Sequence, residues 1–299
     1  MANGKRSVAE LAYNLTTLSA GTKSGLLMKM RIVPMLLAVA ATSPAVHAGA
    51  VLELLTTEYS QDPPIIGTVQ ISTEGRESRI EITSVSSNES GGMIYRSEKK
   101  EMIAMDHAAR EYYVMDQATM DRMAAQVRSA MEQTEAALEA MSPEKRALAE
   151  QMIQRSLSTD AETVVDYDLV ASGEGDEIAG FDCRYYDVMQ KGRKIRDLCV
   201  TPWSEIAEGK QAAQAMMELG DFFENMRKAF SGAGGLEAMD RQQEMFAYME
   251  ELGGYPVLSR DYDASGRVES ESRLEAARSE KINASLFDPP PGYQQLALQ

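Results

Sequence analysis

The sequence predicts an α+β protein in which a curved antiparallel sheet carries Met-rich amphipathic helices packed on one face. Three observations lead there. Short runs of β-branched residues alternate with period two between tight turns, apolar residues elsewhere recur at threes and fours, and blocks of the two kinds alternate along the chain. The 299-residue chain is long enough for one large domain with a substantial core once its leader is set aside.

The leader comes first. Met28 to Ala48, MKMRIVPMLLAVAATSPAVHA, has the order of a secretory signal peptide: a basic start at Lys29 and Arg31, an apolar core from Ile32 to Ala41, and the small residues of Val46-His47-Ala48 before the cut. Residues 1–27 read as an upstream extension foreign to the working protein. The apolar run is shorter than the ~20 residues that span a bilayer, and no cysteine lies near the cut to take a lipid. The mature chain, 49–299, is therefore expected as one exported domain, periplasmic or secreted, with no transmembrane anchor.

Val51 to Tyr59, Gly67 to Ile71 and Ser78 to Ser84 read as strands, parted by Asp62-Pro63-Pro64 and Glu74-Gly75. Met93 to Ser97, Glu101 to Met105 and Glu111 to Met115 follow, joined by polar turns at Glu98-Lys99-Lys100 and around His107. Consecutive strands with short turns form a meander, so the pairing is antiparallel.

A helical block is expected at about 117–158. Met120, Met123, Val127, Met131, Leu138 and Met141 make an amphipathic stripe, and Ser142-Pro143 breaks it with a cap and a first-turn proline. A second helix carries Leu148, Met152 and Leu157, and Thr163 to Ala171 returns to strand. Cys183 to Met189 and Arg193 to Val200 form a hairpin. A second helical block, about 203–252, carries Ile206, Ala213, Met216, Met217, Phe223, Met226 and Phe230, is interrupted at Ser231 to Gly235, and stops at Gly253-Gly254. Tyr255 to Tyr262 and Arg267 to Ala277 make a last hairpin, and Ile282 to Tyr293 an extended tail.

Cys183 and Cys199 are the two cysteines of a chain bound for an oxidising compartment. A three-residue loop, Gln190-Lys191-Gly192, with Gly192 in the left-handed position, sets Met189 against Arg193 and Cys183 directly opposite Cys199. Opposed strand residues lie within reach of a disulfide. The C-x-x-C spacing of a redox pair is absent, so the bridge is read as structural.

Composition excludes more than it selects. Removing residues 1–48 leaves 25 Lys+Arg against 45 Asp+Glu, a net charge of −20. Such a surface repels nucleic acid and anionic membranes. His107 is the one histidine beyond the leader, which removes most zinc and imidazole acid–base chemistry; it is expected to be solvated in its turn, like Arg96, Lys99 and Lys100. Asp261-Tyr262-Asp263-Ala264-Ser265-Gly266 copies half of a calcium loop, but its twelfth position is Ser272 and a β-turn explains it equally. No nucleophile elbow, zinc-protease or phosphate-loop motif occurs. No catalytic residue, metal or cofactor is assigned.

Three segments carry a family resemblance. GMIYRSEKKEMIAMDHAAREYYVMD at Gly92 to Asp116, the glycine-aromatic-x-Cys of Ile178 to Cys183, and Leu286-Phe287 through Pro291-Gly292-Tyr293 together resemble exported bacterial proteins of the family called domain of unknown function 4412. That family is similar to the periplasmic lipoprotein carriers, an open half-barrel of antiparallel strands around helices that enclose a hydrophobic cavity. The resemblance implies a cavity and no catalytic residues.

The leading expectation is a non-catalytic carrier holding a hydrophobic ligand, an acyl chain or amphipathic peptide, between sheet and helices. Met120, Met123, Val127, Met131, Met216, Met217, Phe223 and Met226 are its expected lining. The alternatives are a structural or regulatory interaction module with a filled core, meeting a basic protein partner, and a carboxylate-dependent hydrolase. The leader makes its own prediction: the protein recovered from the periplasm begins at Gly49. Intact mass separates that outcome from retention of residues 28–48.

Overall fold

Two meanders share one sheet. The computed structural model describes residues 48–85, 90–149, 151, 167–229 and 237–297. The first meander comprises β1 (Gly49–Glu58), β2 (Ile65–Glu74), β3 (Glu77–Ser84), β4 (Ser90–Arg96), β5 (Glu101–Asp106) and β6 (Glu111–Met115). Helix α1 (Gln117–Glu139) and a helical segment α2 over residues 143–149 follow. The second meander begins with β7 (Tyr167–Ile178), β8 (Phe181–Gln190) and β9 (Arg193–Pro202). It is interrupted by α3 (Gly209–Ala229) and α4 (Glu237–Leu252), and resumes as β10 (Gly254–Tyr262) and β11 (Val268–Glu280); a short β12 (Gln294–Leu296) closes the chain. Pairing runs β12-β6-β5-β4-β3-β2-β1-β11-β10-β9-β8-β7, so β11 on β1 joins the halves and the sheet stays open at β12 and β7. Every pairing is antiparallel except β12 on β6. Twist accumulated over twelve strands curves such a sheet.

Alternation decides what each face holds. Leu52, Leu54, Ile71, Ile80, Tyr95 and Met102 lie in one apolar cluster with Leu219, Phe222, Phe223 and Met226 of α3 and Met120 of α1. The intervening Val51, Ile94, Ile103 and Met105 form a second cluster with Ile282 and Phe287 of the C-terminal segment. That segment turns through a short 3-10 helix at Ala284–Phe287, where the sequence suggests an extended run throughout. Asp116 accepts the Thr119 N–H at 2.8 Å and caps α1. Only the first turns of α1 are buried, at Thr119, Met120 and Ala124. Among the sequence expectations, the leader before Ala48, Met152, Leu157, the strand before Tyr167, Phe230 and the interruption at Ser231 to Gly235 lie outside the described residues.

The second helical block opens in two steps. Pro202 ends β9, and Trp203–Glu205 makes a single 3-10 turn whose Trp203 carbonyl accepts the Ile206 N–H. At Gly209 the chain passes so close to the Trp203 carbonyl that a Cβ would overlap it, which explains a glycine at the start of α3. The stop is the one expected: Gly253 takes a left-handed φ of 60° and its N–H bonds the Glu250 carbonyl.

Cys183 and Cys199 are joined, with Cα atoms 5.3 Å apart. The register that brings them together differs from the expected one. The loop has two residues, since Lys191 and Gly192 both take positive φ (49° and 76°) and Gln190 pairs with Arg193. Ile195 is then an extra residue between the Met189–Lys194 and Val188–Arg196 pairs, so Tyr185, not Cys183, faces Cys199. The bridge is diagonal, and the extra twist that a bulge introduces favours such a diagonal approach. Replacing both cysteines with serine should cost about 3 kcal/mol, the chain-entropy value for a loop of about this length. Urea denaturation of the oxidised and double-serine proteins measures it.

Candidate functional site

An apolar concavity lies where the sheet fails to meet its helices. It is a groove of about 410 Å³ between strands β1, β2, β3, β10 and β11 and helices α3 and α4. Leu54, Ile71 and Ile80 form its floor; Met216 of α3 and Met245, Phe246 and Met249 of α4 form its roof; Tyr255 and Pro256 close one side. Helix α4 can sit this close to α3 because position 220 is glycine: a Cβ there would lie 3.0 Å from the Phe246 Cβ. Phe223 and Phe246 stack across the same contact, centroids 6.1 Å apart.

The roof is held at its edges by polar contacts. Glu218 on α3 accepts from Arg76 and from the Ser97 hydroxyl, and so ties the helix to two hairpin turns. Gln211 accepts the Gly75 N–H at 3.4 Å, and Glu208 accepts the Ser279 hydroxyl at 3.1 Å. Three of these contacts come from the β2–β3 and β4–β5 turns and the fourth from β11, so α3 is tied to the sheet at several points.

The mouth is polar. Thr56, Glu58, Ser259, Asp261, Ser270, Glu271 and Ser272 line it. Asp261 pairs with Arg196 and accepts the Ser270 hydroxyl at 2.8 Å, and Glu271 pairs with Arg260 at 2.7 Å. Burial pushes the Tyr255 phenol further above its ordinary range. Among the described residues no group of three or more His, Cys, Asp or Glu could hold a metal ion. Asp263, in the half calcium-loop, spends its carboxylate on the N–H groups of Ser265 and Arg267 and on the Ser265 hydroxyl, closing the β10–β11 hairpin.

The expected lining residues fall into three groups. Met216 lines the groove. Met120, Met123, Val127, Phe223 and Met226 lie in the apolar cluster beside it without lining it. Met131 and Met217 are 51% and 42% exposed. The floor residues and the α4 side chains were not singled out by sequence, although alternation in β1 to β3 and the spacing of Met245, Phe246 and Met249 before the Gly253 stop carry the signal. Two expectations of solvated turns are corrected. The His107 side chain is 15% exposed and bonds Glu81 at 2.6 Å and the Tyr293 hydroxyl at 2.8 Å. Arg96 is likewise engaged, by Glu101 at 2.6 Å and Asp288 at 2.7 Å. In both cases the C-terminal segment folds back to supply a partner.

The family model for domain of unknown function DUF4412 matches residues 114–293, more than half of the chain. The chain belongs to the DUF4412 family. The matched span takes in the Ile178 to Cys183 and Leu286 to Tyr293 segments, while most of the Gly92 to Asp116 block precedes it. No curated protein matches the sequence. Among solved structures the fold is similar to an uncharacterized conserved protein from Thermus thermophilus, at 8% identity, 83% of this chain, 90% of that one and a TM-score of 0.40. It is also similar to the MucA/MucB complex of Pseudomonas aeruginosa (6%, 84%, 59%, TM-score 0.36) and to a DUF1329 family protein from Desulfovibrio piger (8%, 82%, 91%, TM-score 0.26). Among the described residues no helix is long and apolar enough to cross a membrane.

The two adjacent methionines give a sharp test. Met216→Asp places an unpaired charge among Leu54, Ile71 and Phe246 and should destabilise by more than about 3 kcal/mol. Met217→Asp, on the exposed side, should stay within about 1 kcal/mol of the parent. Thermal and urea unfolding of the pair read the difference.

Proposed function

We propose that this DUF4412 protein is an exported, non-catalytic binding protein that holds a hydrophobic ligand between its sheet and its Met-rich helices. The observation that carries the reading is the groove itself: about 410 Å³ lined by aliphatic, methionine and aromatic side chains, with polar groups gathered at one mouth. Apolar surface buried there is worth about 25 cal/mol per Å², and unbranched methionines in the roof adapt to cargo of varied shape. The signal-peptide order of residues 28–48 supports action outside the cytoplasm. Asp261 and Glu271 are both engaged by arginines, which speaks against a hydrolase built on that carboxylate pair.

One observation favours a second reading, an interaction module. The apolar stripe of α1 continues past its buried turns into exposed Met131, and exposed Met141 beyond the helix end and Leu148 of α2 follow. Native mass spectrometry of the gently purified periplasmic protein tests the two. A stoichiometric adduct that organic extraction releases is the expected result. A clean apo mass, unchanged after incubation with extracted lipids and peptides, overturns ligand carriage and leaves the interaction module.

A further inference from the structure

The groove is apolar along its length and acidic at its mouth. Its lining contains Glu58, Asp261 and Glu271 and no lysine, arginine or histidine. The neighbouring cations are committed: Arg196 is buried against Asp261, and Arg260 pairs with Glu271. Glu58 differs. It is half-buried, its carboxylate accepts the Ser60 N–H at 3.3 Å, and among the described residues it has no ion pair. At the same end of the sheet Ile65, the cross-strand partner of Glu58, also lines the groove, and Ile82, which lines it too, is 44% exposed. The mouth therefore offers an uncompensated carboxylate flanked by apolar surface.

A fatty-acid carboxylate or a lipid phosphate would enter this mouth against like charge. A segment with apolar residues on one side and lysine or arginine on the other meets both features at once. We infer that the groove takes a basic amphipathic peptide segment of a partner protein, its apolar side chains in the trench and a lysine or arginine on Glu58. The inference rests on the binding reading above and narrows its ligand. The net charge of −20 beyond residue 48 acts in the same sense at longer range, steering basic partners toward the surface.

The test uses the exported protein and a neutral apolar dye, N-phenyl-1-naphthylamine, as groove reporter. The competitors are a synthetic amphipathic helix with a leucine face and a lysine face, its lysine-to-glutamate twin, and palmitate. The expected result is that the lysine peptide displaces the dye at the lowest concentration and that added salt weakens it. Glu58→Lys should weaken the lysine peptide about fivefold, the scale of reversing one exposed ion pair. Glu174→Lys, on the exposed edge strand far along the sheet, serves as the control for net charge and should leave displacement nearly unchanged. Equal displacement by the two peptides, stronger displacement by palmitate, or equal effects of the two variants would overturn the basic-peptide assignment while the groove stands. If the dye is never taken up, the binding reading itself fails.

Discussion

The architecture depends on one pairing, β1 against β11. Without it the chain would hold two meanders, each with an unpaired inner edge. With it, ten residue pairs from Gly49–Glu280 to Glu58–Ser270 bind the first strand to the last long one and complete the sheet. The pairing is secured by burial as well as by backbone hydrogen bonds, since Leu52 and Leu54 on β1 and Leu274 on β11 are inside the main apolar cluster. The register shift between Glu53 and Leu54 sits within this ladder, where a bulge adds twist and bends the sheet around its helices. The groove floor at Leu54, Ile71 and Ile80 is a direct product of that curvature.

Helix α3 converts the curved sheet into a container. Its buried residues, Met216, Leu219, Phe222, Phe223 and Met226, supply the apolar contact, and Glu218 fixes its position against the turns at Arg76 and Ser97. Helix α4 then leans on α3 at Gly220 instead of lying fully on the sheet, and the space left beneath it is the groove. The second face of the sheet is treated differently. There the C-terminal segment packs Ile282 and Phe287 on Ile94 and Ile103, and its Tyr293 and Asp288 reach His107 and Arg96. One face thus carries the C-terminal strap over Ile94 and Ile103, and the other carries the helices with the groove beneath α4.

Much of this was legible in the sequence, for a definable reason. Alternation, helical period and turn chemistry are properties of short segments, and they placed the strands of both meanders apart from the second half of β7, a helix from Gln117, the Gly253 stop and the Cys183–Cys199 pair. Family membership was legible too, through short segments such as Gly180-Phe181-Asp182-Cys183. The same local rules could not see the hairpin register, because a two-residue loop followed by a bulge at Ile195 satisfies Gly192 as well as the expected three-residue loop does.

What the tertiary structure alone decided concerns partners from far along the chain. Met216 and Met217 are adjacent and chemically identical, yet one lines the groove and the other is exposed, because the side on which α3 meets β1 to β3 is set by the whole sheet. Met120 and Met131 share one stripe, yet the first is buried in the main cluster and the second is 51% exposed. His107 sits in a polar turn and is nonetheless held by Tyr293, 186 residues away. Periodicity states that a residue can be buried; it carries no information on what will cover it, since that depends on the non-local pairing of β1 with β11 and on the order in which helices fill the resulting curve.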